Sequence, residues 1–295
     1  STLLASSAAS DVYKRQHNAV LRPLQKLKEQ GIVDYSIIQR DDLNLPASDL
    51  FSKYARDNTK LLAMTLASNL TGRIVFREDV FDLFNEKGIA TFLYSSQGAG
   101  KIKLSMKNQK IDFLAFTGHK DLMALPGVGG LCCESSEHIK PFVQGGTGIH
   151  GEEYTNPEIF PEGYEAGTLN MPAIWSIHAA IDYLKEHFNE ISGTEKRLMT
   201  YLLDGLKKID AVTVYDEEYS RVSTCSININ GIASDKLVSL LDKNGVCVRG
   251  GIHCAILAHE AIGTVSTGTV RLSLNYMNTE QEIDAVLDIL RNVGD

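Results

Sequence analysis

Residues 111–120, IDFLAFTGHK, carry an apolar, strand-like stretch straight into a small-residue turn that ends in His119-Lys120. A lysine at the carboxyl end of a strand stands where open α/β sheets gather their ligands. Its amine can capture an aldehyde cofactor covalently, and pyridoxal phosphate is the obvious candidate. Taken alone, a His-Lys pair in a polar turn is more often a solvated surface feature. Companions elsewhere in the chain decide between the two readings.

Four further stretches accompany it: SSQGAG at 95–100, GGTGIHGE at 145–152, YEAGTLNMP at 164–172 and VRGGIHCAILAHE at 248–260. In this order the motifs resemble class V aminotransferase-like enzymes, and more narrowly cysteine desulfurases whose nucleophile sits in a His-Cys-Ala context. The resemblance runs from His17 to Asp295. Any one motif is weak evidence, whereas five in order are specific. The resemblance implies an α/β chain of the fold-type I pyridoxal-phosphate-dependent transferases: a mainly parallel sheet with helices on both faces and a smaller C-terminal α+β domain.

It also implies roles. Lys120 would anchor pyridoxal phosphate and then move the substrate's α-proton, and Cys254 would be the sulfur nucleophile. Thr117 and His119 resemble ligands of the cofactor phosphate, a short hydroxyl and an imidazole N–H being donors suited to a dianion. Gln97 matches a glutamine that donates to the cofactor's phenolic oxygen. Asn69 matches an asparagine near the ring and the substrate, and His17 a histidine that stacks on the pyridine face. Thr168 matches a threonine that reaches the phosphate of a neighbouring subunit, so a homodimer is implied. Arg271 resembles the fork that clamps the substrate carboxylate, and Arg249 a second substrate-side arginine.

The implied reaction takes sulfur from L-cysteine or a related amino acid, leaving alanine and an enzyme persulfide for an acceptor protein in iron-sulfur or thio-cofactor assembly. A selenocysteine lyase, another class V enzyme, or an inactive remnant that only binds a partner are the alternatives. One position departs from the pattern. Where the family holds an aspartate that keeps the pyridine nitrogen protonated, this chain has Tyr94, a neutral phenol, and impaired turnover is expected.

Cys254 lies in a Gly-rich turn beside His253, which could favour the thiolate; Cys132, Cys133, Cys225 and Cys247 lie in strand-like runs and read as small buried hydrophobes. The five cysteines show neither a CxxC pair nor zinc spacing, which points to a reducing, cytoplasmic setting and no metal site. The glycines of GGTG (Gly145, Gly146, Gly148) lack the lysine of a P-loop and read as flexible backbone near a subunit contact.

These residues need a scaffold. At 295 residues and 43% hydrophobic the chain can bury the cores of two domains. A formal net charge of -8 without a basic run argues against nucleic acid or an anionic membrane surface, and the apolar runs are too short to span a bilayer. Residues 1–16, STLLASSAASDVYKRQ, lack an initiating Met and a signal-peptide pattern; they read as a non-native or disordered leader. The large cofactor-binding domain, without its family-like front segment, is placed at 17–192 and the small domain at 193–295.

Periodicity predicts helices over 19–30 (closed by Gly31), 47–56 and 75–86, with strands at 33–38, 61–66, 89–94, 111–116 and 128–133. Two helices, 173–191 and 194–209, are predicted to break at Ser192-Gly193. Strands at 211–215, 222–229, 246–249 and 269–274, a helix at 235–243 and a closing helix with a Thr279/Glu282 capping box complete the chain.

Overall fold

The computed structural model describes residues 8–13, 16–135 and 139–294. Two sheets organise it. The first has the order β2-β1-β3-β4-β5-β6, formed by β1 (Ala8–Tyr13), β2 (Val33–Ile38), β3 (Thr59–Thr65), β4 (Ala90–Tyr94), β5 (Phe113–Thr117) and β6 (Gly129–Cys133). Strands β1 to β5 pair in parallel, and β6 runs antiparallel to β5. The second sheet, β7 (Val212–Val214), β8 (Thr224–Ile229), β10 (Thr269–Ser273) and β9 (Arg249–Gly251) in that order, is antiparallel throughout. The expected α/β architecture with a C-terminal α+β portion is therefore present.

Each sheet has its own core. Leu62, Met64 and Leu66 on and after β3 and Leu93 on β4 pack with Leu50 of α2 (Ala47–Tyr54) and Val80, Phe81 and Phe84 of α3 (Glu78–Glu86). In the second core, Cys225, Ile227, Val270 and Leu272 face Leu237 and Leu241 of α5 (Ser234–Lys243) and Ile283, Leu287 and Leu290 of α7 (Glu280–Arg291). The Thr279/Glu282 capping box opens α7 as expected: Thr279 Oγ1 accepts from the Glu282 amide, and Glu282 Oε2 accepts from the Thr279 amide.

Three expectations change. Ala8–Tyr13, assigned to a leader outside the fold, forms β1, paired with both β2 and β3; Gln16 is buried and donates from Nε2 to the Ala63 carbonyl at 3.0 Å. Residues 1–7, 14 and 15 of that segment lie outside the described residues. A strand inserted between two others is specified by its ladder partners, which a local reading of composition does not see. Second, no break occurs at Ser192-Gly193, because α4 runs from Met171 to Leu206. Beyond Gly193 its Leu198, Met199, Leu202 and Leu206 enter the second core, and that packing outweighs the modest helix penalty of one glycine. Third, the strand expected at 246–249 is displaced to Arg249–Gly251, where β10 supplies its partners.

A loop after β3 stitches the two units together. Gly72 adopts φ +74°, and a Cβ there would lie 2.0 Å from the Thr224 carbonyl oxygen, so only glycine permits the approach. The Val222 amide donates to the Gly72 carbonyl at 3.0 Å, and Ser226 Oγ donates to the Leu70 carbonyl at 2.6 Å. No helix of the described residues is long and apolar enough to cross a membrane.

Candidate active site

The carboxyl ends of four adjacent parallel strands deliver candidate residues to one edge of the large sheet. His17 follows β1 and N-caps α1 (Asn18–Glu29), Asn69 follows β3, Tyr94 ends β4 with Gln97 in the next turn, and Lys120 follows β5. This is where an open parallel sheet leaves a crevice. The small domain meets the same edge through Cys254, between β9 and α6 (Ile256–Ile262), and Arg271 on β10, which are bonded to Asn18 and Asn69. Ala255 and Ala258, which flank and form α6, pack on Leu70 of the stitching loop.

Lys120 sits in a turn closed by hydrogen bonds from the Gly118 amide to the Val128 carbonyl and from the Ala124 amide to the Gly118 carbonyl, both 2.9 Å. Burial, then the positive charge of Arg271, pulls its amine below the ordinary lysine range, while Asp121 and Cys254 oppose that shift. His17 is lowered by burial and then by the charges of Lys120, Arg22 and Arg271. Its Nδ1 accepts from the Ala19 amide at 3.0 Å, and its ring stacks on Tyr94 with centroids 5.8 Å apart and planes 14° from parallel. Lys120, Cys254, Arg271 and His17 thus share one electrostatic neighbourhood, although up to 254 residues of sequence separate the outermost pair.

The turn bearing Cys254 is strained. His253 at φ +54° and Cys254 at φ +56° are consecutive left-handed residues other than glycine. Bonds from the large domain hold it: Asn69 Nδ2 donates to the His253 carbonyl at 2.7 Å, and the Asn18 amide donates to the Cys254 carbonyl at 2.9 Å. The backbone donor of Asn18 has no signature in the sequence. In this turn the Cys254 side chain is exposed and His253 is buried.

Any help that His253 gives the thiolate does not come from a positive charge. Burial, reinforced by Arg271, pushes its imidazole down to about 4, so it is neutral near pH 7. Its Nε2 donates to the Thr269 carbonyl at 3.1 Å, which gives it a structural bond across to β10. The cations that interact favourably with Cys254 are Lys120 and Arg271.

Arg271 and Arg249 occupy directly opposed positions on β10 and β9. Arg271 donates from one terminal nitrogen to the Asn69 carbonyl at 2.9 Å, while its buried Nε has no partner. Burial and then repulsion from Arg249 lower its pKa. Like charges facing each other across a ladder are unfavourable, and an anion bound between them relieves the repulsion. Arg249 is exposed.

Thr117 Oγ1 and His119 Nδ1 lie 3.0 Å apart at the end of β5. Gln97 is half-buried at the exit of β4. Thr168 is exposed on the loop before α4, and among the described residues no hydrogen bond joins it to Lys120, Cys254 or Arg271. Of the four cysteines read as buried hydrophobes only Cys225 is buried, its thiol pushed up to about 12 by burial; Cys132 and Cys247 are exposed and Cys133 is half-buried. The edge position of β6 exposes Cys132, and the shift of β9 leaves Cys247 outside a strand. Among the described residues no group of three His, Cys, Asp or Glu side chains is placed to hold a metal ion.

The aminotransferase class-V family model matches residues 6–286. The protein named "Probable cysteine desulfurase" from Methanothermobacter thermautotrophicus is 27% identical over 286 residues, covering 95% of this chain and 71% of that protein. Its namesake from Xylella fastidiosa strain Temecula1 is 31% identical over 290 residues, covering 96% and 68%. Among solved structures, the apo cysteine desulfurase of Thermococcus onnurineus NA1 superposes with a TM-score of 0.88 at 26% identity, covering 98% of this chain and 73% of that one. The cysteine desulfurase CsdA of Escherichia coli gives 0.88 at 25% identity, covering 98% and 72%. With the motifs in order, the sheet topology matched over nearly its whole length and the family model spanning both domains, this chain belongs to the aminotransferase class-V family.

Proposed function

We propose that this chain is a pyridoxal-phosphate-dependent cysteine desulfurase. The observation that carries the reading is that Asn18 and Asn69, at the strand ends where Lys120 also lies, bond to the turn of Cys254 and to Arg271 and so hold the thiol and the arginine at the edge that bears the lysine. In the reaction the C–S bond of L-cysteine breaks, an S–S bond forms to Cys254, and the amino acid leaves as L-alanine.

The residues present suit the cofactor at its aldehyde and phosphate. Lys120 offers an amine whose lowered pKa leaves more of it unprotonated, and Thr117 with His119 offers a hydroxyl and an imidazole at the same strand end. His17 presents a ring face, and Asn69 and Gln97 follow the neighbouring strands β3 and β4. When bound, pyridoxal phosphate supplies the electron sink that acidifies Cα and weakens the bond to sulfur. Lys120 then accepts and returns protons, Arg271 with Arg249 orients the substrate carboxylate, and the Cys254 sulfur attacks the substrate sulfur. Asn69 serves this step indirectly, since its amide holds the carbonyl beside Cys254.

Tyr94 weakens the electron sink, because a phenol replaces the anion that would hold a proton on the ring nitrogen. A slow enzyme is the consequence we infer. We also propose a homodimer: Met171, Ile174 and Trp175 form an exposed apolar stripe on the first turns of α4, near the exposed Leu169 that follows Thr168. The persulfide on exposed Cys254 would pass to a sulfur-acceptor protein, and five free cysteines fit a reducing, cytoplasmic setting. The test is reconstitution with pyridoxal phosphate, addition of L-cysteine, and measurement of alanine and of persulfide on Cys254. Alanine without persulfide would favour a lyase that does not use Cys254, and neither product would discard an active enzyme.

A further inference from the structure

Lys101, Asp121, Glu195 and Ser223 meet at one buried point between the domains. Lys101 Nζ lies 3.0 Å from Asp121 Oδ1 and 2.9 Å from Glu195 Oε2, and its own side chain is 9% exposed. Lys101 also donates to Ser223 Oγ, which in turn donates to Glu195 Oε2 at 2.6 Å. The four residues come from four places: the loop after β4, the turn that carries Lys120, the middle of α4 and the approach to β8. Asp121 is the neighbour of Lys120 in sequence, and its second carboxylate oxygen is buried without a partner.

The backbone is shaped to allow this meeting. Gly100 adopts φ +91°, and a Cβ there would lie 2.3 Å from the Asp121 carbonyl oxygen. On the other side of the same turn Gly118 packs against Ile177 of α4, and the Leu125 amide donates to Ser176 Oγ at 2.9 Å. A cavity of about 420 Å³ lined by Lys101, Glu195, Tyr219, Arg221 and Ser223 opens beside the cluster. A buried cluster of one cation and two carboxylates is a poor way to gain stability over an apolar contact, but it admits a single arrangement of its partners.

That arrangement matters because the reacting groups lie on different domains. Lys120 belongs to the large sheet, whereas Cys254 and Arg271 belong to the small one. We propose that Lys101, Asp121, Glu195 and Ser223 act as positioning residues, fastening the Lys120 turn to α4 and the small domain so that the amine faces Cys254 and Arg271. The catalytic consequence rests on the reading of Lys120 as the reacting amine; the fastening itself does not.

The experiment uses the full chain without cofactor or substrate. Amide hydrogen exchange is followed in Lys101→Met and in Glu195→Gln, the latter keeping the side chain's size and its bond to Ser223. In parallel, acetic anhydride labelling of Lys120 is read by mass spectrometry as a function of pH. The expected result is exchange about tenfold faster at the Gly118, Met123 and Ala124 amides, with β3 and β8 still protected, and a moved pH midpoint for Lys120 acetylation. Unchanged exchange and midpoint in folded variants would overturn the proposal. Uniformly faster exchange through β3 and β8 would also overturn it, since the cluster would then contribute only to global stability. If Lys101→Met does not fold, Glu195→Gln is read by the same criteria. Absence of desulfuration by the unaltered chain would overturn the functional reading and leave these two measurements as they stand.

Discussion

Asn69 donates its side-chain amide to the carbonyl of His253 at 2.7 Å, so a loop of the large domain holds the strained turn that presents Cys254 from the small one. Its own carbonyl accepts from Arg271 at 2.9 Å, which ties the thiol's turn and the carboxylate fork to a single residue. Asn69→Ala leaves the buried His253 carbonyl unpaired at a cost of about 1–3 kcal/mol. The expected outcome is a lower unfolding midpoint in urea together with slower persulfide formation on Cys254. An unchanged persulfide rate in a folded variant would show that the turn keeps its shape without this bond.

Replacing Cys254 by Ala removes the sulfur nucleophile without filling space or burying a polar group. Alanine release from L-cysteine should fall to background while uptake of pyridoxal phosphate, followed by visible absorbance, persists. Continued alanine release would move the assignment to a lyase that works without an enzyme thiol.

Tyr94→Asp places a carboxylate where the family pattern has one. The rate of alanine release should rise by about tenfold or more, because the ring then accepts carbanion charge more readily. The stacking partner of His17 is lost in the same change, so cofactor affinity is measured separately by titration. A rate that stays level despite full cofactor loading argues that Tyr94 does not limit turnover.

Arg271→Lys keeps a positive charge but removes the planar fork. The KM for L-cysteine should rise about tenfold, since a point charge cannot pair with a carboxylate through two parallel bonds. The Asn69 carbonyl also loses a donor, and urea unfolding separates that effect from substrate binding. A KM equal to that of the parent chain would remove Arg271 from the carboxylate site.

The pH dependence of stability follows from His253, whose pKa falls to about 4 in the folded chain from its ordinary value of 6.5. Between those values the unfolded chain binds a proton that the folded one refuses. The stability contributed by the neutral, buried imidazole is therefore complete above pH 6.5 and is lost as pH falls toward 4. His259 is lowered in the same direction, chiefly by burial, and adds to the loss. His253→Asn, which tolerates the left-handed backbone, should flatten the decline of the unfolding midpoint between pH 7 and 4. An identical slope in parent and variant would assign the acid sensitivity to other groups.

The sequence alone determined what is specified locally. The strand-turn run ending at Lys120, the Thr279/Glu282 capping box and the ordered motifs are each defined within a few residues, and from them come the α/β class, the family resemblance and the candidate residues. Features that depend on distant partners emerged from the folded arrangement. Ala8–Tyr13 is a strand because β2 and β3 flank it, and α4 passes through Ser192-Gly193 because the second core grips its far end. His253 is neutral because burial and Arg271 make it so, and Lys101 meets Glu195 across 94 positions of sequence. Hydrogen-bonding periodicity and caps act over one turn or one strand pair, whereas desolvation and charge act through space. Only the folded chain determines which residues share that space.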